Sequence, residues 1–324
     1  MHFKSLLSNA MLAGLSALPL VASAQTWPEK PITLVVAFAP GGAADIVGRV
    51  VAAQLSKQLG QQVIVDNKPG AGATIAASAV ARAKPDGYTM LQLVSSHATA
   101  ETLYKNRGYD AMKDLAPISA LATSPYYVLV NPEITRAATL KDFVAEIRAN
   151  PGKLSYAHGG SGAITHLASE MMKSQGKLDM ISVGFKGNSP AATEVLAGRI
   201  DMLIDQPASA DAFIKAGKLK ALAVTSKERI ATAPNVPTMN EAGFPGYEAM
   251  SWFGLAFPKA TPHEIVERMS REIAKAMVSP EVKARFEAAG LTPVSSTPVQ
   301  FTAFLDGEIG RWRNVIAEAK ITTD

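Results

Sequence analysis

A short β-rich run, a glycine turn and an amphipathic helical stretch recur along this chain, and that alternation limits its fold more than any other feature. Residues 32–38 (ITLVVAF) read as a buried strand, broken by Pro40-Gly41-Gly42. Residues 45–59 then place Ile46, Val47, Val50, Val51, Leu55 and Leu59 at helical spacing and stop at Gly60. The pattern repeats with a strand at 63–65, a breaker at Asn67-Lys68-Pro69-Gly70-Ala71-Gly72, a helix at 73–83, the turn Pro85-Asp86-Gly87 and a strand at 88–94. Strand, turn, helix and strand in that order predict a parallel sheet with right-handed crossovers.

A second series follows. Residues 126–130 read as a strand leaving the first unit, and 140–149 as a helix stopped by Asn150-Pro151-Gly152. Strands are expected at 154–157, 181–185, 200–204 and 219–224, with helices at 164–175, 190–197 and 208–215. Residues 251–257 read as a strand returning to the first unit, followed by helices at 262–278, 281–289 and 299–319. The fold class is therefore α/β, with two sheets flanked by helices and a ligand cleft between two lobes. The expected division gives residues 25–127 and 252–324 to one lobe and 128–251 to the other. In open α/β sheets ligands sit beyond the carboxyl ends of the strands, where the glycine turns fall here.

Residues 1–24 read as a signal peptide. Lys4 precedes an apolar stretch, and Ala22-Ser23-Ala24 is a small-residue cleavage pattern, so the exported chain starts at Gln25. Hydrophobic residues make up 48% of the sequence, enough for a large core. With no cysteine, thiol catalysis and thiolate metal sites are excluded. The formal net charge of +4 is scattered among acidic residues, with no basic cluster interleaved with aromatics, so nucleic acid is not an expected partner.

Three turns are candidates for chemistry. In the first, Phe38, Ala39, Gly41 and Gly42 precede a helix whose N-terminal amides carry partial positive charge and attract anions without a cationic side chain. It is neither a Walker A loop nor a dinucleotide fingerprint. Asp45 either caps this helix or faces the ligand. The second turn, with Ala71 and Gly72, repeats the device. In the third, Ser161 and Thr165 stand at a helix start, and Gly159-Gly160-Ser161-Gly162-Ala163 misses the Gly-x-Ser-x-Gly pattern of a hydrolase elbow. His97 follows a strand and is placed to reach the cleft. Asn188 lies in a turn after a strand. Asp205 either accepts hydrogen bonds from a ligand or caps the following helix. Trp252 and Phe253 read as hinge core. His158 and His166 are eight residues apart, do not share a helix face, and make no metal site; no cofactor is expected.

These residues resemble the tripartite tricarboxylate transporter receptors, also called Bug proteins. The resemblance rests on Trp27-Pro28-Glu29-Lys30-Pro31-Ile32, Pro40-Gly41-Gly42-Ala43-Ala44-Asp45, Asn67-Lys68-Pro69-Gly70-Ala71-Gly72-Ala73 and Lys84-Pro85-Asp86-Gly87-Tyr88-Thr89. It continues through residues 217–225, 236–243 and 251–254 and spans nearly the whole exported chain. It implies a type II-like periplasmic binding protein fold, a monomer that closes on a small carboxylate and delivers it to membrane transporter subunits. In that family the first two turns hold the carboxylate through backbone amides and bridging water, here Phe38, Ala39, Gly41, Gly42, Ala71 and Gly72. Ser161 and Thr165 match hydroxyl contacts, and Asp205 matches an acidic position near the ligand's far end. The chain departs from the family at Ala73, Phe185 and Asn188-Ser189, where glycine, tyrosine and a glycine run are common. A solute-sensing module and a secreted hydrolase are the alternative readings.

Overall fold

The computed structural model describes residues 27–185 and 187–322; the signal peptide reading lies outside them. The first lobe opens with β1 (Ile32–Val36), α1 (Ala43–Leu59), β2 (Val63–Asn67), α2 (Thr74–Ala81) and β3 (Thr89–Val94). A helix α3 (Ser95–Leu103), a single turn α4 (Ala111–Asp114) and a long strand β4 (Leu115–Pro125) complete the first pass. The second lobe comprises β5 (Tyr127–Val130), α5 (Leu140–Ala149), β6 (Ser155–His158), α6 (Ile164–Gly176), β7 (Ile181–Gly184), α7 (Asn188–Leu196), β8 (Met202–Asp205), α8 (Pro207–Lys215) and β9 (Lys220–Val224). The chain returns through β10 (Met250–Pro258), α9 (His263–Val278), α10 (Pro280–Ala288), β11 (Thr292–Pro293) and α11 (Pro298–Glu318).

Two sheets result, ordered β11-β4-β10-β3-β1-β2 and β7-β6-β8-β5-β9. The expected parallel pairing holds for β1 with β2 and β3, and for β6 with β7 and β8. It fails wherever a strand belongs to a crossing between lobes. There β10 runs antiparallel to β3 and β4, and β5 antiparallel to β8 and β9, because these strands enter from the opposite end of each sheet. Both sheets are therefore mixed. A side chain cannot be added at Gly254 of β10: a Cβ there would lie 2.1 Å from the Phe301 ring of α11.

The two crossings meet at one buried hydroxyl. Thr225 Oγ1 accepts from the Tyr126 amide at 2.8 Å and donates to the Ala249 carbonyl at 2.6 Å. Backbone bonds from Thr225 to Tyr126 and from Ala249 to Thr225 complete the knot. Among the described residues no helix is long and apolar enough to cross a membrane.

Candidate functional site

A cavity of about 600 Å³ lies between the lobes. The starts of five helices converge on it. α1 presents Gly42, Ala43 and Ala44, and α3 presents Val94, Ser95 and Ser96, all from the first lobe. The second lobe presents Ala163, Ile164 and Thr165 of α6, Gly187, Asn188 and Ser189 of α7, and Asp205 and Gln206 before α8. None of the five has its N-cap side chain bonded to the first-turn amides. By contrast α4, α5, α10 and α11, which start away from the cavity, are capped by Asp110, Thr139, Ser279 and Thr297. α2 and α9 also lack a cap, so convergence, rather than a missing cap alone, marks the site. Each helix start carries roughly half a positive charge. The described lining contains neither lysine nor arginine, and Asp205 is its one carboxylate. Such a cavity favours an anion.

The second-lobe wall is held by a directed chain of hydrogen bonds. The Gly159 amide donates to Thr165 Oγ1 at 3.3 Å, and Thr165 Oγ1 donates to Asn188 Oδ1 at 3.1 Å. Asn188 Nδ2 then donates to Asp205 Oδ1 at 2.8 Å, which also accepts the Gln206 amide at 2.8 Å. One carboxylate oxygen is thus fixed by the protein. The other, Oδ2, has no hydrogen bond among the described residues.

The structure sorts the expected site residues into two groups. Phe38, Gly42, Thr165, Asn188 and Asp205 line the cavity. Ala39, Gly41, Asp45, Ala71, Gly72, His97 and Ser161 do not. Asp45 is buried and faces inward: Oδ2 accepts from the Gly41 amide at 3.0 Å and from Arg49 Nε at 2.9 Å, and Oδ1 accepts from Asn67 Nδ2 at 3.0 Å. Arg49, more than the amide or Asn67, pulls its pKa from 3.8 down to about 2. The Gly41 amide, expected to point at ligand, points at Asp45 instead. Asn67 also donates to the Phe38 carbonyl at 2.9 Å, so Asp45 fixes the whole first turn from behind.

Ala71 and Gly72 take positive φ in a 3₁₀ turn that does not line the cavity, and a Cβ on Gly72 would strike the Tyr104 ring at 2.7 Å. The glycine there makes room for an aromatic side chain. His97 is fully buried, its Nδ1 accepting the Val94 amide at 3.0 Å, and burial lowers its pKa to about 4. It braces the start of α3 from behind, while the adjacent Ser95 and Ser96 line the cavity. Ser161 lies at the exposed tip of its turn. The neighbouring His158 and His166 each accept a loop amide, from Gly160 and Gly162, so neither acts as a base on Ser161.

Several lining residues have no counterpart in the expected set. Ser95 and Ser96 follow β3 as Phe38 follows β1, and that equivalence of position was the available signal. Tyr126 and Ser251 come from the crossings. Phe253 lines the cavity, whereas Trp252 is core, its Nε1 donating to buried Glu308 at 2.9 Å. Phe38 and Phe213, 39% and 38% exposed, place apolar rings on opposite lobes at the cavity.

Residues 47–321 match the TctC family, described as tripartite tricarboxylate transporter family receptor. A protein of Pseudomonas sp. (strain P51), the UPF0065 protein in the tcbD-tcbE intergenic region, is 37% identical over 92% of this chain and 89% of its own length. R. palustris Rpa4515, solved with adipate, superposes with a TM-score of 0.80 at 33% identity, covering 91% of this chain and 99% of that one. MatC from Rhodopseudomonas palustris, solved with malate, superposes with a TM-score of 0.74 at 31% identity, covering 89% and 99%. Extended sequence identity and a shared two-lobed α/β architecture agree, and the chain belongs to the tripartite tricarboxylate transporter family of receptors.

Proposed function

We infer that this chain is an extracytoplasmic receptor that captures a small organic carboxylate between its lobes and hands it to the membrane subunits of a tripartite transporter, without catalysing a reaction. The carrying observation is the convergence of five helix starts on a cavity of about 600 Å³ whose described lining has no lysine or arginine. That volume lies within the usual range for a small-molecule site. The relatives solved with adipate and malate bind acids of suitable size. Export through residues 1–24, action as a monomer and the lobe division at about residues 127 and 252 belong to the same reading.

Asp205 refines the ligand. Its Oδ2, which has no hydrogen bond among the described residues, favours a hydroxyl, amine or amide at the end opposite the anchored carboxylate and repels a second carboxylate. A hydrogen bond to a charged group is worth about 1.5–3 kcal/mol, or roughly 10- to 100-fold in affinity. Asp205→Asn should therefore weaken hydroxy- and amino-acid ligands by that factor and improve plain dicarboxylates. The primary experiment is mass spectrometry of ligand released from purified protein, followed by a thermal-shift panel of mono-, di- and hydroxycarboxylates. A ligand at 100 times its dissociation constant adds about 2.7 kcal/mol of stability. A panel in which amines and sugars shift melting and no acid does would refute the reading.

A further inference from the structure

We propose that His158 and His166 are positioning residues for the second-lobe wall of the cleft, and that protonation of this pair releases the 159–163 loop. The two imidazoles stack with centroids 4.1 Å apart and planes 13° from parallel. Both are buried. Each holds one amide of the loop between them: Gly160 N–H donates to His158 Nδ1 and Gly162 N–H to His166 Nδ1, both at 3.2 Å. A backbone N–H can only donate, so both Nδ1 atoms must be unprotonated. Protonating either ring replaces an acceptor with a donor facing a donor, and protonating both stacks two cations.

The loop ends at Ala163, whose residue and successors Ile164 and Thr165 line the cavity. Its other restraints among the described residues are at the two ends of the loop: the Gly159 amide on Thr165, the Gly187 amide on the Gly159 carbonyl at 3.1 Å, and the Ala163 amide on the Gly160 carbonyl. The rings' surroundings set the balance. Tyr156 of β6 lies 5.8 Å from His158 and 6.4 Å from His166, and its hydroxyl bonds Glu170. Glu170 of α6 pairs with Lys173 at 2.8 Å, and Ser182 of β7 lies 3.1 Å from His158 Nε2. Glu170 favours the charged rings, while Lys173 opposes charge on His166. Burial outweighs both, lowering His158 and taking His166 to about 4.

The first lobe contains the same device with a different acceptor. Asp45 is the third residue of α1 and accepts the Gly41 amide, just as His166 is the third residue of α6 and accepts the Gly162 amide. A carboxylate held near 2 keeps its amide under mild acid; an imidazole does not. Acidification therefore loosens the second-lobe wall first. If the receptor reading holds, the consequence is release of ligand from that side.

The test is hydrogen exchange of the 156–166 segment, without ligand, from pH 7 to pH 4.5 and corrected for intrinsic rates. A ring that titrates at 6.5 in the open loop and at about 4 in the closed loop raises the opening constant about 30-fold at pH 5. Loop protection should fall by at least that factor while the β5 amides stay protected. His158→Asn with His166→Asn keeps an oxygen near each Nδ1 position and removes the titration, so its loop protection should be flat. Wild-type protection that does not change, or a variant that falls in parallel, would overturn the proposal. Imidazole titration by NMR on the wild type gives a second arm that needs no variant: both rings should titrate below 6.5, His166 the lower, and ordinary titration with an intact loop would refute the coupling. Neither arm needs a ligand, so failure of the carboxylate panel and failure of this proposal are separate results.

Discussion

Asp45→Asn tests whether the first turn is organised from behind. The carboxylate accepts three hydrogen bonds, from Gly41, Arg49 and Asn67. An asparagine has one acceptor oxygen, so its amide must meet either the Asn67 amide or the Arg49 guanidinium as donor against donor. The fall in pKa from 3.8 to about 2 is nearly two units, and at 1.36 kcal/mol per unit its ceiling is about 2.5 kcal/mol. Arg49 is 55% exposed, and solvent weakens that ion pair, so about 1–1.5 kcal/mol is expected. The sign follows from the direction. A depressed carboxylate stabilises the folded state fully above 3.8 and loses that contribution as pH falls through about 2. Denaturant unfolding of both proteins at pH 7 should show the gap, and the gap should close between pH 4 and pH 2. Affinity for an identified ligand should also drop, because Asn67 connects Asp45 to the Phe38 carbonyl at the cavity edge. Equal stability at pH 7, or a gap that does not change down to pH 2.5, would refute the reasoning.

Other substitutions separate binding from folding. A Cβ on Gly42 meets nothing within 4 Å, and its φ of −85° suits any residue, so Gly42→Leu should melt like wild type while losing ligand-induced thermal stabilisation. Gly254→Ala should do the reverse, costing about 1–3 kcal/mol by overpacking against Phe301, measured by denaturant unfolding. Thr225→Val leaves the Tyr126 amide and the Ala249 carbonyl each short of a buried partner and should cost about 2–3 kcal/mol, again by unfolding.

The repeated βα units were legible because their apolar periods are strong and their breaks fall at glycine and proline. The region between residues 95 and 125 was not. α3 (SSHATAETL) follows β3 without a breaker and mixes alanine with threonine and serine, so it offers neither a start signal nor a clear apolar face. β4 (LAPISALATSP) is made largely of small residues and contains Pro117, which normally argues against a strand. Its neighbour β11 is two residues long, and Pro117 pairs beside a register shift, so the proline is accommodated. Two of the three candidate glycine turns, those before α1 and α6, lie at the cavity and the one before α2 does not, because glycine alone does not reveal its reason. Gly42 leaves the cavity open, Gly41 adopts a positive φ to meet Asp45, and Gly72 makes way for Tyr104. Polar residues near strand ends are equally ambiguous: Asp205 reaches the cavity, whereas Asp45 and His97 turn inward to hold the backbone.

An anchor built from peptide dipoles rather than from lysine or arginine has a consequence for the medium in which it works. Mobile cationic side chains gather counterions, and their pull on an anion declines as salt rises. Helix starts set between two lobes are fixed in place and have no proton to lose. On the receptor reading proposed above, the chain works outside the cytoplasmic membrane and meets whatever salinity its surroundings impose. It should keep most of its affinity from dilute buffer to seawater-like ionic strength, with salt slowing capture more than it weakens the closed complex.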